Sequence, residues 1–351
     1  MNYICDVLVR NNTPVRIISP SWTNNDSGFY RGMEKTIGNN ISLKQFNTFG
    51  SKYRFLRLCK YLYSQIQLLV YLLNNTSVGE KVIVYHSIFL AFPLIVSKFI
   101  RRFEIILEVE EIYQEISKQN LLMRMSEKLI FLIADCFIFS TEYLNQQVNK
   151  KNKKNIIIHG TYKVPKIYNE RFGDDKIRIV YSGIIDSLKG SNLAVSISKY
   201  LPKNYHIHII GYGKKENIEE LKEKIYKLRN ESNAKVSYDG MLIGDEYDKF
   251  LQKCDIGLST QSKDASYNLT SFPSKILSYL ANGLRVVSVK LVPIETSQVG
   301  RQIFFYNNEN PEFVAEIIMK INLEENYDSR KTISILDEQI MQEMFELLNK
   351  N

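Results

Sequence analysis

Along this chain, short apolar runs alternate with longer stretches in which apolar positions recur at helical spacing. In the first half, residues 15–19, 81–85, 104–109, 136–140 and 155–159 read as strands, and residues 54–74, 88–103, 121–133 and 142–149 read as helices. The second half repeats the alternation. Strands are expected at 177–181, 206–210, 236–238, 256–259, 285–288 and 302–305, and helices at 193–199, 218–230, 247–254, 274–281 and 311–321. The chain opens on a helical pattern over 3–11 and closes on another over 337–348. Strand and helix in strict alternation predict an α/β protein with parallel sheets covered on both faces. Residues 160–176 contain Gly160, Pro165, Gly173 and a charged run, and read as a linker between two such halves.

A length of 351 residues is comfortable for two domains. With 44% hydrophobic and 24% charged residues, the composition is that of a folded protein and excludes disorder. The net charge of +8 suits an anionic partner: nucleic acid, an anionic membrane surface or an anionic substrate. No nucleic-acid-binding signature is present, and the basic residues are scattered through the helices. Cys5, Cys59, Cys136 and Cys254 are far apart and follow no metal spacing, so four buried thiols in a reducing cytosol are expected. The opening residues show no signal-peptide pattern. The most apolar stretch, 88–100, holds Pro93 and Lys98 and falls short of the ~20 residues needed to span a bilayer.

The most informative stretch is 270–287, Thr-Ser-Phe-Pro-Ser-Lys-Ile-Leu-Ser-Tyr-Leu-Ala-Asn-Gly-Leu-Arg-Val-Val. Pro273 is expected at the first helical position, with Ser271 suited to capping. Ile276, Leu277 and Leu280 form the apolar stripe, Gly283 is the stop, and Leu284–Ser288 is the next strand. A polar loop thus runs into a helix whose free N–H groups make an anion site, and Lys275 adds a positive charge there.

This stretch resembles the nucleotide-binding signature of retaining glycosyltransferases of family 4, which have the GT-B fold. Three further pieces match in order. Residues 178–190, Arg-Ile-Val-Tyr-Ser-Gly-Ile-Ile-Asp-Ser-Leu-Lys-Gly, look like the family's strand, glycine turn and Lys-Gly. Residues 206–213, His-Ile-His-Ile-Ile-Gly-Tyr-Gly, look like its strand ending in Gly-x-Gly, and 236–260 look like its strand, Gly240, helix and Asp255 strand. The resemblance covers 177–290 well and the remainder loosely. It implies two Rossmann-like parallel-sheet domains facing a cleft: an acceptor-side domain over 1–162, a nucleotide-sugar domain over 163–325, and a C-terminal helix in 326–351 that returns to the first domain. The family has one more strand and a glycine-rich loop ahead of residue 1. The first domain is therefore expected to lack its first strand, and the sequence to be short by roughly 15–30 residues.

The resemblance also implies roles. Gly183 and Gly190 let a diphosphate approach the backbone, and Lys189 reaches it; the plain alternative for Gly183 is an ordinary tight turn. Where the family has arginine after that glycine this chain has Ile184, a place that Lys275 is expected to fill. Thr270 and Ser278, with seven residues between them, occupy the positions of the family's Glu-x7-Glu. Thr270 would offer its hydroxyl and N–H to the donor sugar, and Ser278 would bond a ribose hydroxyl more weakly than a carboxylate does. Ser271, Phe272 and Ser274 belong to the same signature. Tyr212 is placed against the nucleotide base, or is a plain surface tyrosine, and Met241 sits in a turn that gives backbone groups to the base.

In the first domain Glu110 ends a strand where the family has a sugar-contacting His-Asp; it is a candidate sugar contact or part of a solvated acidic loop. His86 ends another strand and is a cleft residue or a structural one. Helix 54–75 is basic, aromatic and apolar, and is either a covering helix of the sheet or a contact with anionic head groups through Arg54, Arg57 and Lys60.

The expected protein is a retaining glycosyltransferase. It moves a sugar, the diphosphate donor being most simply a UDP-sugar, onto a growing lipid-linked glycan of capsule or O-antigen type. The sugar would lie between Thr270 and the loop around Glu110, with the departing phosphate assisting deprotonation of the acceptor. No essential metal or cofactor is implied. The location would be cytoplasmic, peripheral on the inner face of the plasma membrane. The rivals are a catalytically inactive GT-B partner subunit or truncated transferase, favoured by the missing arginine and both missing glutamates, and a nucleotide-sugar epimerase or phosphorylase of the same fold.

Overall fold

The computed structural model describes residues 2–20, 23–38, 40–116, 120–168, 170–186, 190–265, 268–325 and 327–349. The chain divides into two compact units, Met1–Ile158 with Gln339–Asn351, and His159–Glu338. No described helix is long and apolar enough to cross a membrane.

In the first unit, helix α1 (Asn2–Arg10) leads into strand β1 (Val15–Ser19). Four short strands follow: β2 (Phe29–Tyr30), β3 (Glu34–Gly38), β4 (Ile41–Gln45) and β5 (Thr48–Phe49). The apolar pattern did not announce them, because every residue of β3 is exposed and neither β2 nor β5 is long enough to show alternation. After α2 (Arg54–Asn75) come β6 (Lys81–Tyr85), α3 (Ala91–Arg101), β7 (Glu104–Val109), α4 (Tyr113–Ile116), α5 (Leu121–Ile133), β8 (Cys136–Phe139), α6 (Glu142–Val148) and β9 (Asn155–Ile157). The last four strands form one parallel sheet in the order β6-β7-β8-β9. Ile105–Val109 are fully or nearly fully buried in its centre, with Leu68, Leu72, Leu94, Ile130, Phe137 and Phe139 packed around them.

Among the described residues β1 pairs with β4 alone and β6 with β7 alone, so each presents a free edge. Backbone accounting shows which groups those edges carry. Glu80 and His86 bond to β7 through the Glu104 N–H and the Glu108 C=O, both at 2.8 Å, so the alternate residues Lys81, Ile83 and Tyr85 turn their N–H and C=O the other way. On β1, Val15 and Ser19 bond to Asn40 and Phe46, which leaves Arg16 and Ile18 facing away from β4. Consecutive residues of both strands line a cavity of about 1110 Å³ that α1 and α2 also wall. Lining by consecutive residues is the mark of a strand edge, since side chains alternate between faces. We expect the amides of Ile18, Ile83 and Tyr85 to exchange with solvent deuterium faster than those of Ile105 and Leu107 by roughly a hundredfold or more. Equal protection would mean that the edges are paired in solution.

In the second unit the elements run β10 (Ile177–Ile185), α7 (Ser191–Ser196), β11 (Tyr205–Gly213), α8 (Lys215–Leu228), β12 (Lys235–Gly240), α9 (Gly244–Gln252), β13 (Ile256–Ser259), α10 (Ser274–Ala281), β14 (Arg285–Val289), α11 (Val292–Glu295), β15 (Ile303–Tyr306) and α12 (Pro311–Met319). Helix α13 (Ser329–Asn349) closes the chain. It starts eight residues before the expected 337 because Ile333 and Leu336 continue the buried stripe of Ile340, Met344 and Leu347. All six strands are parallel in the order β12-β11-β10-β13-β14-β15. The direction of winding reverses between β10 and β13. At that switch point both connecting helices leave the strand ends and open a crevice.

Two buried histidines make the fold acid-sensitive. Burial pushes His86 down to about 4, against the opposing hydrogen bond to the Glu111 carbonyl, and pushes His206 down to about 3, with His208 next in effect. Both folded values lie below the ordinary 6.5, so the folded state holds each ring neutral where the unfolded chain would protonate it. The stabilisation is complete above pH 6.5 and declines as pH falls below it, at up to ~1.4 kcal/mol per unit for each ring. Unfolding free energies from urea titrations at pH 6.5 and 5 should therefore differ by about 2 kcal/mol or more, and His86→Gln should flatten the first unit's share. A free energy constant over that range would contradict the burial of both rings.

Candidate functional site

A cavity of about 970 Å³ opens at the C-terminal edge of the second unit's sheet, at the switch point. Ser182, Gly183 and Ile184 of β10 line it, with Ile210, Gly211 and Tyr212 of β11, Met241–Ile243 after β12 and Gln261 after β13. Gly183 was expected just beyond a strand and instead lies inside β10, directly opposite Gly211, because pairing carries both strands past their apolar runs. The two glycines have φ of 143° and 144°. A Cβ on Gly211 would stand 1.8 Å from the Gly183 carbonyl oxygen, so only glycine allows the two backbones this close. A Cβ on Gly183 would stand 3.2 Å from Lys275 Nζ. The ammonium group therefore sits over the backbone of Gly183, held 3.9 Å from the Tyr181 ring centroid.

Helix α10 brings Ser274, Lys275 and Ser278 to the cavity. It spans Ser274–Ala281 as expected, with Pro273 in the cap position and not at the first helical one. Pro273 has ψ of 99° and no side-chain acceptor with which to cap the helix. Ser271 and Phe272 line the cavity. The stop is as expected: the N–H groups of Gly283 and Leu284 bond at 3.0 Å to the carbonyls of Leu280 and Tyr279.

Ser278 heads a relay of hydroxyl groups absent from the sequence-based candidates. Its Oγ donates to Tyr247 Oη at 3.2 Å; Tyr247 Oη and Ser182 Oγ are 3.0 Å apart; Ser182 Oγ and its N–H donate to Tyr279 Oη; and Tyr279 donates to the Leu258 carbonyl at 3.3 Å. Burial raises the pKa of both tyrosines, so both stay protonated. With its proton committed inward, Ser278 offers the cavity only lone pairs and is an acceptor.

The supposed linker is one wall of the same cavity. Thr161, Lys163, Pro165, Lys166 and Tyr168 line it, and His159 stacks on Phe272 with centroids 4.7 Å apart. Gln252 fastens this wall: its Nε2 donates to the Lys166 carbonyl and to Asn282 Oδ1, and its Oε1 accepts the Tyr168 N–H at 2.7 Å. Asn282 in turn donates to Asp248 Oδ1 at 3.1 Å, and Asp245 and Asp248 are the cavity's carboxylates. No motif in 159–168 could have announced this, since the wall is built by contacts from α9 and α10.

Of the residues singled out from sequence, Gly183, Tyr212, Met241, Ser271, Phe272, Ser274, Lys275 and Ser278 meet at this cavity. Thr270 does not line it and its side chain is buried, while the adjacent Ser271 lines the cavity. Gly190 also lies off the lining and packs against Thr260, whose Oγ1 donates to the Gly190 carbonyl at 2.8 Å. Lys189 lies outside the described residues. Glu110 belongs to the first unit, exposed beyond the end of β7, and accepts from Tyr85 Oη at 2.8 Å. Its loop is anchored by fully buried Glu127, which accepts from the Tyr113 N–H and Gln114 Nε2 at 2.7 Å. Among the described residues no cluster of His, Cys, Asp and Glu has the arrangement of a metal site.

No protein-family model and no curated protein matches the chain. Solved structures do. The E. coli trehalose-6-phosphate protein bound with UDP-2-fluoro glucose superposes with a TM-score of 0.68 at 13% identity, over 100% of this chain and 95% of that one. Anabaena HepE in complex with UDP gives 0.68 at 14% identity, over 89% and 87%. The UDP-forming α,α-trehalose-phosphate synthase of Burkholderia vietnamiensis gives 0.63 at 10% identity, over 97% and 94%. The chain shares with these proteins the GT-B fold of two Rossmann-like domains.

Proposed function

We propose that this chain is a retaining glycosyltransferase, akin to family 4, that takes a sugar from a UDP-linked donor and adds it to a growing, lipid-linked surface polysaccharide. The observation that carries the reading is the position of Lys275. A cation stands over a side-chain-free stretch of backbone, beside a helix start and at the switch point of a Rossmann-ordered sheet. That combination suits a nucleoside diphosphate. The structural neighbours' complexes with UDP and UDP-glucose support the donor class.

In this reading the diphosphate lies along Gly183 and Gly211, facing Lys275 and the start of α10, with Lys189 as a further cation. The base lies against the exposed side chains of Tyr212 and Met241, and Ser278 accepts a hydrogen bond from a ribose hydroxyl. Ser271, which lines the cavity, serves the sugar side. During transfer the bond from the sugar's anomeric carbon to the β-phosphate oxygen breaks and the acceptor oxygen bonds to that carbon on the same face. The acceptor's proton passes to the departing phosphate. The protein's contribution is to hold the charge growing on that phosphate, a task for Lys275 and the helix amides that requires no divalent ion.

The hydroxyl relay makes a separate prediction. Tyr247→Phe removes the group that keeps Ser278 an acceptor, so UDP affinity should fall about three- to tenfold, in keeping with the loss of one hydrogen bond. The parent chain should prefer UDP to 2′-deoxy-UDP or 3′-deoxy-UDP, and the variant should lose that preference. A preference that survives would detach Ser278 from the ribose.

The reading as a whole is tested by calorimetric titration with UDP, GDP and their sugars, followed by an assay of donor-dependent UDP release. Saturable binding of one nucleotide with release of UDP supports it. The burial of Thr270 favours one alternative, an inactive nucleotide-binding partner subunit, which would bind UDP without turnover. No binding by any nucleotide would overturn the proposal.

A further inference from the structure

The first unit carries a surface that glycosyl transfer leaves unused. α2 packs against α3 and α3 against α5, and all three turn Leu68, Leu72, Leu94 and Ile130 into one core. Their opposite faces are apolar as well. Phe99 is 86% exposed, Leu122 75%, Phe55 73% and Leu121 71%, with Leu62 and Ile66 more than half exposed between them. Isolated apolar side chains on a surface are ordinary, but a run of them across three adjoining helices marks an interaction face.

Apart from Asp135 just past α5, which pairs with Lys98 of α3, the charges exposed by these helices are basic. α2 and α3 contain no Asp or Glu, and the single acid of α5, Glu127, is fully buried. Arg54 and Arg57 at the start of α2 and Arg124 and Lys128 on α5 are exposed. We infer that α2, α3 and α5 together form the face by which this protein lies on an anionic membrane, with the aromatic and leucine side chains entering the acyl boundary and the basic side chains meeting acidic head groups. Helices that are apolar and basic without acids on one side, and none of which can span a bilayer, are built to lie in its interface. A second copy of the chain is the poorer occupant, since a two-fold contact would set the same arginines against one another while Asp135 is already paired with Lys98. Sequence alone pointed only to helix 54–75; the packing of α3 and α5 beside it supplies most of the exposed apolar side chains.

The inference rests on the first unit and is independent of the donor site, so the two readings fail separately. Cosedimentation of the full chain is measured with vesicles of phosphatidylcholine, alone or mixed with phosphatidylglycerol. Binding is expected on the mixed vesicles at low salt and is expected to weaken as salt rises. Combined Phe99→Ser, Leu121→Ser and Leu122→Ser should reduce partitioning tenfold or more. Arg54→Glu with Arg57→Glu should reduce it by at least about fivefold for each charge. These positions are exposed, so the melting curve and UDP affinity should stay as in the parent chain. Failure to bind mixed vesicles, equal binding to both vesicle types, or partitioning unaffected by the serine variant would overturn the inference. A dimer in sedimentation velocity that the serine variant dissolves would also overturn it, by assigning the face to a second copy, as would a stoichiometric protein complex that it abolishes.

Discussion

Gly190→Ala is expected to destabilise the second unit by roughly 3–5 kcal/mol, a large part of the 5–15 kcal/mol that holds a typical protein folded. Two costs add. Gly190 has φ of +89°, where an L-residue pays ~1–2 kcal/mol. Its new Cβ would stand 1.7 Å from the Thr260 carbonyl oxygen and 2.8 Å from Thr260 Oγ1, and Thr260 is itself buried at the end of β13. Neither atom is the end of a flexible chain, so β13 and the start of α7 must part. Gly240→Ala is the control: its φ of +81° imposes a similar backbone cost, but nothing lies within 4 Å of the added Cβ, so only about 1 kcal/mol is expected. Because two units need not unfold together, the comparison is made by hydrogen exchange of β10 and β13 amides as well as by urea. Equal losses for the two substitutions would show that Thr260 does not crowd Gly190.

Lys275→Ala is expected to lower kcat/KM for the nucleotide-sugar by a hundred- to a thousandfold, the usual effect of removing one fixed electrostatic stabiliser of a developing anion. UDP affinity should fall about ten- to a hundredfold, as for a lost charge-assisted hydrogen bond. The fold should lose little, since the cation–π contact to buried Tyr181 is worth ~0.5–2 kcal/mol. Lys275→Arg, which keeps the charge but changes its shape, should recover part of the affinity. Rising salt should weaken UDP binding by the parent chain more than by Lys275→Ala. Unchanged UDP affinity in Lys275→Ala would remove the cation from the donor site and with it the observation on which the proposed function rests.

Much of this architecture was legible before any coordinates, for a local reason. The strand runs of β7, β13 and β14 and the stripe of α10 are buried over most of their length, and burial imposes its period on the sequence. Strands β2 and β3 escaped because they are exposed and carry no period, and β5 because two residues are too few to show one. The start of α13 escaped through an early cut in a pattern that was present, since Ile333 and Leu336 sit on the same stripe as Ile340.

The candidate site divides along the same line. Lys275, Ser278 and Gly283 lie in local motifs, where a helix start or a helix stop is dictated within a few residues, and the sequence by itself determined their setting, whereas strand pairing placed Gly183 inside β10. It also determined the α/β class, the two-part alternation and the basic, acid-free character of α2. Tertiary structure alone decided that 159–168 is a cavity wall, that Tyr247 makes Ser278 an acceptor, that Thr270 turns inward while Ser271 faces the cavity, and that α3 and α5 extend the apolar face of α2. Each of these depends on groups brought together from distant parts of the chain, such as Gln252 on Lys166 or Tyr279 on Ser182. Periodicity and capping report only on neighbours within a few residues, so contacts of that span leave no mark in the sequence that either could read.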